Sequence, residues 1–215
     1  STRLPGKAML PLAGEPLTWR LVERVTRSVL VNAVIVACPE RDYGYFSANL
    51  PYGVRTWDGP ENDLVGRHLH IATLADADII VRIPGDNPCV DQAYIDAAVE
   101  EHLEGTQVFT TNTTAWVDGF GNVDGLGAEV FTLSRLKIID RLTHGNPELR
   151  EHPHLWFYNN FMIETAHEKP AKVRLDVNTQ ADYEFVKDIY DALYPTNPTF
   201  TAQDILTYLA TKASV

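Results

Sequence analysis

Apolar positions along the chain recur with two different periods, and the changes of period mark its elements. Between Pro16 and Val29, residues Leu17, Leu21, Val22 and Val25 fall on one stripe at helical spacing, which predicts a helix. The run AVIVAC (33–38) is short, continuous and rich in β-branched residues, as in a strand covered on both faces. VRTW (54–57) predicts a second strand, 62–75 a helix, and DIIVRI (78–83) another buried strand. An amphipathic helix is predicted over 90–103, then strands over 107–112 and 128–133, and a helix over 134–142. Residues 171–177 predict a late strand, 180–194 a helix, and 201–213 a terminal helix with Thr201 as its N-cap. The stretch from Thr113 to Gly127 is rich in Gly, Asp and Asn and predicts a long functional loop.

Strands alternating with helices at this spacing imply βαβ units, hence an α/β fold with a mainly parallel sheet and helices on both faces. Such sheets collect ligands outside the carboxyl ends of their strands. Chemistry is therefore expected just after Ile83, Asn112 and Val177, and in the opening loop.

Composition narrows the choice of partner. With 215 residues, 45% of them hydrophobic, the chain is most economically one domain with ample core. A formal net charge of −11 argues against a nucleic-acid footprint, which needs a basic face. No apolar run approaches the roughly 20 residues that span a bilayer, so no membrane partner is expected. Cys38 and Cys89 give neither metal spacing nor a disulfide framework, and no signal peptide is visible, so a reduced cytoplasmic protein is expected.

Cations are scarce, which makes the opening STRLPGK conspicuous. Its Gly6-Lys7 pair lacks the earlier Gly and the following Ser or Thr of a Walker loop. Small residues that let backbone N–H groups approach an anion, with Arg3 and Lys7 to neutralise it, still suit a phosphate; a solvated basic turn is the plainer alternative. In VRIPGDNPCVD, Asp86 follows a buried strand in a Gly-Asp-x-Pro turn, where a carboxylate can hold Mg²⁺ while the metal bridges substrate phosphates. A turn-capping Asp is the competing explanation, with Asp91 the rival N-cap. Arg82, charged at the end of an apolar strand, calls for a partner.

Asp124, Gly125 and Glu129 in DGLGAEVF could line an acceptor pocket or merely form a hairpin turn. Arg150, Glu151, His152 and His154 suit hydrogen bonding to a polyhydroxy ligand better than a metal, for which no third ligand is spaced. Asp176 and Asn178 lie two apart on the late strand and share one face. Cations, a few carboxylates and a parallel sheet suit transfer at phosphorus, where a protein mainly positions groups and stabilises charge.

Taken in order, STRLPGKAMLPLAGEPL, GPENDLVGRHLHIA, DIIVRIPGDNPCVD, VDGLGAEVFTLSRL, LREH and VRLDVNTQADYEFV closely resemble the spore-coat-polysaccharide-F-type cytidylyltransferases, relatives of the CMP-sugar synthetases. The resemblance spans almost the whole chain. It implies a glycosyltransferase-A-like nucleotide-binding sandwich that binds CTP and Mg²⁺, where an acceptor oxygen attacks the α-phosphate and pyrophosphate leaves. By the same resemblance Ser1, Thr2, Arg3, Gly6 and Lys7 form the triphosphate loop, with Arg82 and Gly85 beside it. Asp86 binds Mg²⁺, with Asp176 and Asn178 as further metal contacts, and Asp124, Glu129, Glu151 and His152 build the acceptor side. Arg3, Lys7 and Asp86 are the residues expected to act on the reacting phosphates. A sugar-type acceptor follows, and a homodimer formed through 143–165, with Trp156, Phe157 and Tyr158.

Three departures from the family pattern stand out. The pattern begins about a dozen residues earlier, so its first apolar strand is expected to be missing here. Asn178 stands where an Asp usually ends the late strand, and Gly127 where an Asp is common, a change that would bear on acceptor choice. Two other functions fit less of the chain. A glycosyltransferase would carry Asp-x-Asp after a strand, whereas Asp76-Ala77-Asp78 begins one. A non-catalytic nucleotide- or sugar-binding relative would tolerate Asn178.

Overall fold

In the computed structural model, which describes residues 3–161 and 171–213, the chain enters through a 3-10 turn (Lys7–Met9) and a tight hairpin. The hairpin pairs β1 (Pro11–Leu12) with β2 (Glu15–Pro16), and its turn residues Ala13 and Gly14 have φ of 46° and 87°. Two consecutive left-handed residues match the twist of the flanking strands. Helix α1 (Leu17–Val25) follows and buries the predicted stripe of Leu17, Leu21, Val22 and Val25.

A βαβ unit comes next, with β3 (Ile35–Pro39), α2 (Tyr43–Ala48) and β4 (Arg55–Gly59). β3 and β4 run parallel, with Ile35 opposite Arg55 and Pro39 opposite Gly59. Helix α3 (Leu64–Leu74) starts at Asp63, whose carboxylate accepts the Gly66 N–H at 2.8 Å. Then come β5 (Ile79–Arg82), α4 (Gln92–Glu104), β6 (Thr110–Thr111), β7 (Thr114–Val117), β8 (Gly121–Asp124) and β9 (Glu129–Thr132). The chain finishes with α5 (Leu133–Leu142), α6 (Pro147–Glu151), α7 (Pro153–Asn160), β10 (Val173–Arg174), α8 (Gln180–Leu193) and α9 (Ala202–Ala213).

The alternation of strands and helices is as expected, but the strand directions are not mainly parallel. Among the described strands, only β3–β4 and β8–β10 pair in parallel. The crossover through α4 sets β5 and β6 in the same direction, and β9 lies between them, antiparallel to both. β9 follows β8 without an intervening helix, so nothing turns the chain back to the end from which a parallel strand would start. The stretch expected to be one long loop holds the β7–β8 hairpin, turned through Asp118-Gly119 with Gly119 at φ 82°. That hairpin and β10 form a separate sheet.

The β3–β4 pair and the β5–β9–β6 sheet lie over one apolar cluster. Val36 of β3 and Val81 of β5 pack there with Leu21, Val22 and Val25 of α1, and no ladder joins the two sheets among the described strands. A second cluster gathers Val65, Phe109, Phe131, Leu136 and Ile139 around Trp156 and Phe157 of α7. Those two aromatic residues, expected in a subunit extension, are buried in the chain's own core; residues 162–165 of that extension lie outside the described part.

Asp91 holds three distant pieces together. Its carboxylate accepts the Ala93 N–H of α4 at 2.9 Å and the Ala202 N–H of α9 at 2.7 Å, and lies 3.8 Å from Arg24 of α1. Thr201 caps α9 as expected, with its hydroxyl accepting the Asp204 N–H at 3.3 Å and Asp204 accepting the Thr201 N–H in return. No helix among the described residues is long and apolar enough to cross a membrane.

Candidate active site

The opening turn, the ends of β3, β5, β8, β9 and β10, and the α6–α7 junction enclose a cleft of about 1180 Å³. Twelve of the fourteen candidate residues line it; Ser1 and Thr2 lie outside the described residues.

One end of the cleft is built around Lys7. Gly6 takes φ 72°, a conformation that costs glycine little, and so turns the chain into the 3-10 turn that aims Lys7 inward. The Lys7 ammonium lies 2.6 Å from Asp86 Oδ2, 2.7 Å from the Val177 carbonyl and 3.3 Å from Asn178 Oδ1. Arg3 Nη2 donates to the same Asn178 Oδ1 at 2.8 Å. The loop after β5 is fixed to the segment after β10 through the Val177 N–H, which donates to the Asp86 carbonyl at 2.8 Å. Three segments far apart in sequence thus meet at one point. Gly85 lines the cleft with open space where a side chain would go, so it leaves room instead of easing a strained turn.

Asp176 is buried and already engaged. Arg174 donates to it at 2.6 and 3.0 Å, and the Asn178 side-chain amide donates to it as well. Asp86 is the more open carboxylate. Among the described residues no three His, Cys, Asp or Glu side chains converge as a metal cage.

The other end is built around Glu129. Arg82 of β5 and Glu129 of β9 stand opposite each other in the ladder, and their side chains pair at 2.6 Å, largely buried. Arg82, expected on the nucleotide side, thus spends its charge on Glu129, a residue expected on the acceptor side. Around the pair stand Asp124, which accepts from the Thr114 hydroxyl at 3.1 Å, and Glu151 and His152 at the α6–α7 junction. His154 Nδ1 lies 3.9 Å from Glu129 Oε1, and its ring stacks edge-on with Tyr158, the centroids 5.7 Å apart. Burial and the Glu129 charge push the Tyr158 hydroxyl well above its ordinary pKa. Beneath the site, burial and then the Arg82 charge push His68 down to about 4, leaving it neutral.

Three cleft residues stand outside the expected site: Arg67 has no role in it, His154 is expected only as a hydrogen-bond partner for a polyhydroxy ligand, and Tyr158 is expected in the subunit extension. The last two are four apart on one helix and share a face. Arg67 is four before Ile71 on the buried face of α3, so a charge among apolar neighbours was the available signal. Gly127 does not line the cleft. A Cβ there would fall 1.9 Å from Asn112 Oδ1 and 2.4 Å from the Asn112 carbonyl, so packing demands the glycine. Asp76 and Asp78 precede β5, at the end of the strand opposite Arg82 and the cleft.

Cations converging on an open carboxylate at strand ends, with a polar wall beyond, suit an α/β enzyme that handles phosphates. A cytidylyltransferase family model matches residues 1–205, and the chain belongs to that family of nucleotidyltransferases. It is 27% identical to the spore coat polysaccharide biosynthesis protein SpsF of Bacillus subtilis (strain 168), over 97% of this chain and 89% of that protein. It is 35% identical to the 3-deoxy-manno-octulosonate cytidylyltransferase of Trichlorobacter lovleyi over 48% of this chain and 41% of that one. A solved cytidylyltransferase from Leptospira borgpetersenii superposes over all of this chain and 91% of its own, with TM-score 0.81 and 28% identity. A CMP:2-keto-3-deoxy-manno-octonic acid synthetase, solved with CTP, shares the fold at TM-score 0.63 and 17% identity, covering 89% of this chain and 94% of that one.

Proposed function

We propose that this chain transfers the cytidylyl group of CTP to a hydroxyl of a sugar or sugar-like acid, releasing pyrophosphate with the help of Mg²⁺. The observation that carries the reading is the set of oxygens around one cation. Asp86, the Val177 carbonyl and Asn178 all approach the Lys7 ammonium within 3.3 Å, so the fold already directs three hard oxygen donors at a positive centre. Such donors suit Mg²⁺, which keeps several waters and shares its remaining positions with substrate phosphates. Asp86 and Asn178 would hold the ion, and bound there it would neutralise charge on the phosphates under attack.

The chain's own groups supply the rest. Arg3 and Lys7 carry the negative charge of the triphosphate and of the departing pyrophosphate. The buried Arg82–Glu129 pair fixes the acceptor wall, where Glu129, Glu151, His152 and Asp124 offer hydrogen-bond partners to a polyhydroxy acid. Orientation of the acceptor hydroxyl towards the α-phosphate is the main contribution such a wall can make. The sugar acids named for the relatives support an acceptor of this chemistry.

The test is pyrophosphate release from CTP and Mg²⁺ by the full chain across a panel of sugar-acid acceptors, with CTP binding followed by calorimetry. Turnover with at least one acceptor is expected; no CTP binding with Mg²⁺ present ends the proposal. One observation favours a second reading, a relative that binds without turning over: Asn178 offers an amide oxygen where a carboxylate would bind metal more strongly. Turnover by the unaltered chain excludes it.

A further inference from the structure

Lys7 fills a seat whose donors suit a metal ion. Its ammonium takes up the Asp86 carboxylate at 2.6 Å, the Val177 carbonyl at 2.7 Å and the Asn178 amide oxygen at 3.3 Å. A Mg²⁺ ion bound to Asp86 and Asn178 would need oxygens at about 2.0–2.1 Å, closer than the ammonium approaches them. Two cations that close to the same oxygens repel each other strongly, so only one can hold the seat at a time.

The charges around the seat favour the lysine while no nucleotide is bound. Arg3 donates to Asn178 Oδ1 at 2.8 Å, so two cations face one open carboxylate, that of Asp86. The neighbouring carboxylates are engaged: Asp176 by Arg174 and the Asn178 amide, and Asp182 by the Asn178 and Thr179 N–H groups. A dication entering here meets Lys7 and Arg3 with a single free carboxylate to offset them. Lys7 is also lightly held. It begins a three-residue turn that buries none of its residues, and the space beside Gly85, next to Asp86, is open. The ammonium can therefore leave without uncovering core.

We propose that Lys7 is a gate on the metal seat: its ammonium keeps Mg²⁺ away from Asp86 and Asn178 until a triphosphate draws it off. The inference rests on the proposed use of CTP and Mg²⁺. A triphosphate offers Lys7 more negative charge than Asp86 alone, so the lysine moves to the phosphates and releases both side chains for the metal. One cation thus serves two partners in turn, and metal binding becomes conditional on the nucleotide.

Lys7→Met and Lys7→Gln in the full chain test this, with Mg²⁺ added in the absence of nucleotide and followed by calorimetry and melting temperature. Both variants should bind Mg²⁺ at least about tenfold more tightly than the wild type, because an opposing charge at contact range is gone. Mg²⁺ should also raise their melting temperatures by more than it raises the wild type's. Adding Asp86→Asn to Lys7→Met should abolish the gain, which places the ion at Asp86. Inorganic triphosphate, titrated in the presence of chelator, should bind both variants more weakly than the wild type. Should one neutral variant fail to melt cooperatively, the other decides. Mg²⁺ affinity no higher than the wild type's overturns the proposal and makes Lys7 a structural pin. A gain that survives Asp86→Asn overturns it too, as does unchanged triphosphate binding, which would show that the lysine never serves the phosphates. If the wild type binds no CTP with Mg²⁺ present, the cytidylyltransferase reading fails first and the gate falls with it. If the wild type binds CTP and the variants gain no Mg²⁺ affinity, the gate alone fails.

Discussion

Arg150→Ala removes the clamp that fixes helix α6 to α3. Arg150 donates to both carboxylate oxygens of Asp63 at 2.9 Å and to Asp140 Oδ1 at 3.0 Å. Asp63 in turn caps α3 through the Gly66 N–H, so its carboxylate serves two elements at once. A hydrogen bond to a charged group contributes about 1.5–3 kcal/mol, but an exposed ion pair contributes only about 0–1 kcal/mol. With Arg150 at 15% exposure and both carboxylates at 31%, the clamp falls between those limits. A loss of about 1–2 kcal/mol follows, and for a chain of this size it lowers the melting temperature by roughly 2–8 °C.

Acidity supplies a second signature of the same clamp. Burial alone would raise the Asp63 carboxyl, but the Arg150 hydrogen bonds, the Gly66 N–H and the arginine charges outweigh it and hold the group below the ordinary carboxylate range. A depressed folded-state value means stability that is present above the unfolded value of about 3.9 and fades as pH falls through the folded one. Urea unfolding from pH 7 to pH 2 should show a shallower acid loss for Arg150→Ala than for the wild type. A change under about 0.5 kcal/mol at pH 7, the range of ordinary surface substitutions, would refute the clamp.

Three further outcomes are expected. Gly127→Ala drives a methyl into the Asn112 backbone and should cost about 1–3 kcal/mol in chemical denaturation; a neutral result would contradict the packing described for that loop. Glu129→Leu strands the buried Arg82 and should lose about 3–5 kcal/mol, most of it regained in the Arg82→Met/Glu129→Leu double variant; strictly additive losses would show that the pair is not the cause. Asn178→Asp replaces the amide donor to Asp176 with a second carboxylate, so it should melt lower than the wild type without metal. Added Mg²⁺ should then raise its melting temperature more than it raises the wild type's, and equal shifts would count against Asn178 as a metal contact.

Helices were largely legible in the chain because their signal is local. The stripes of α1, α4, α8 and α9 each announce one buried face, and the cap of α9 stands in the sequence as Thr201 followed by Asp204. Strand direction was not legible, because a continuous apolar run such as that of β9 looks alike in either orientation. The β7–β8 hairpin had a usable sign in Asp118-Gly119, obscured by the polar residues around it. Helix α7 hid for another reason: Trp156 and Phe157 are adjacent and both buried, which breaks the expected spacing. In the cleft, a motif signals a residue type but not what the side chain touches. Arg82 needed a partner on charge grounds alone, yet only the ladder register makes that partner Glu129.

Asp91 carries a consequence for the order in which the molecule assembles. Its bond to Ala202 closes a span of 111 residues, so α9 gains its place only after nearly all the intervening chain is in position. Contacts of that separation form late, because the entropy of closing so long a loop must be offset first. The last helix should dock as a final latch during refolding. Its amides should gain protection from exchange after those of α4, although both helices share one carboxylate at their starts.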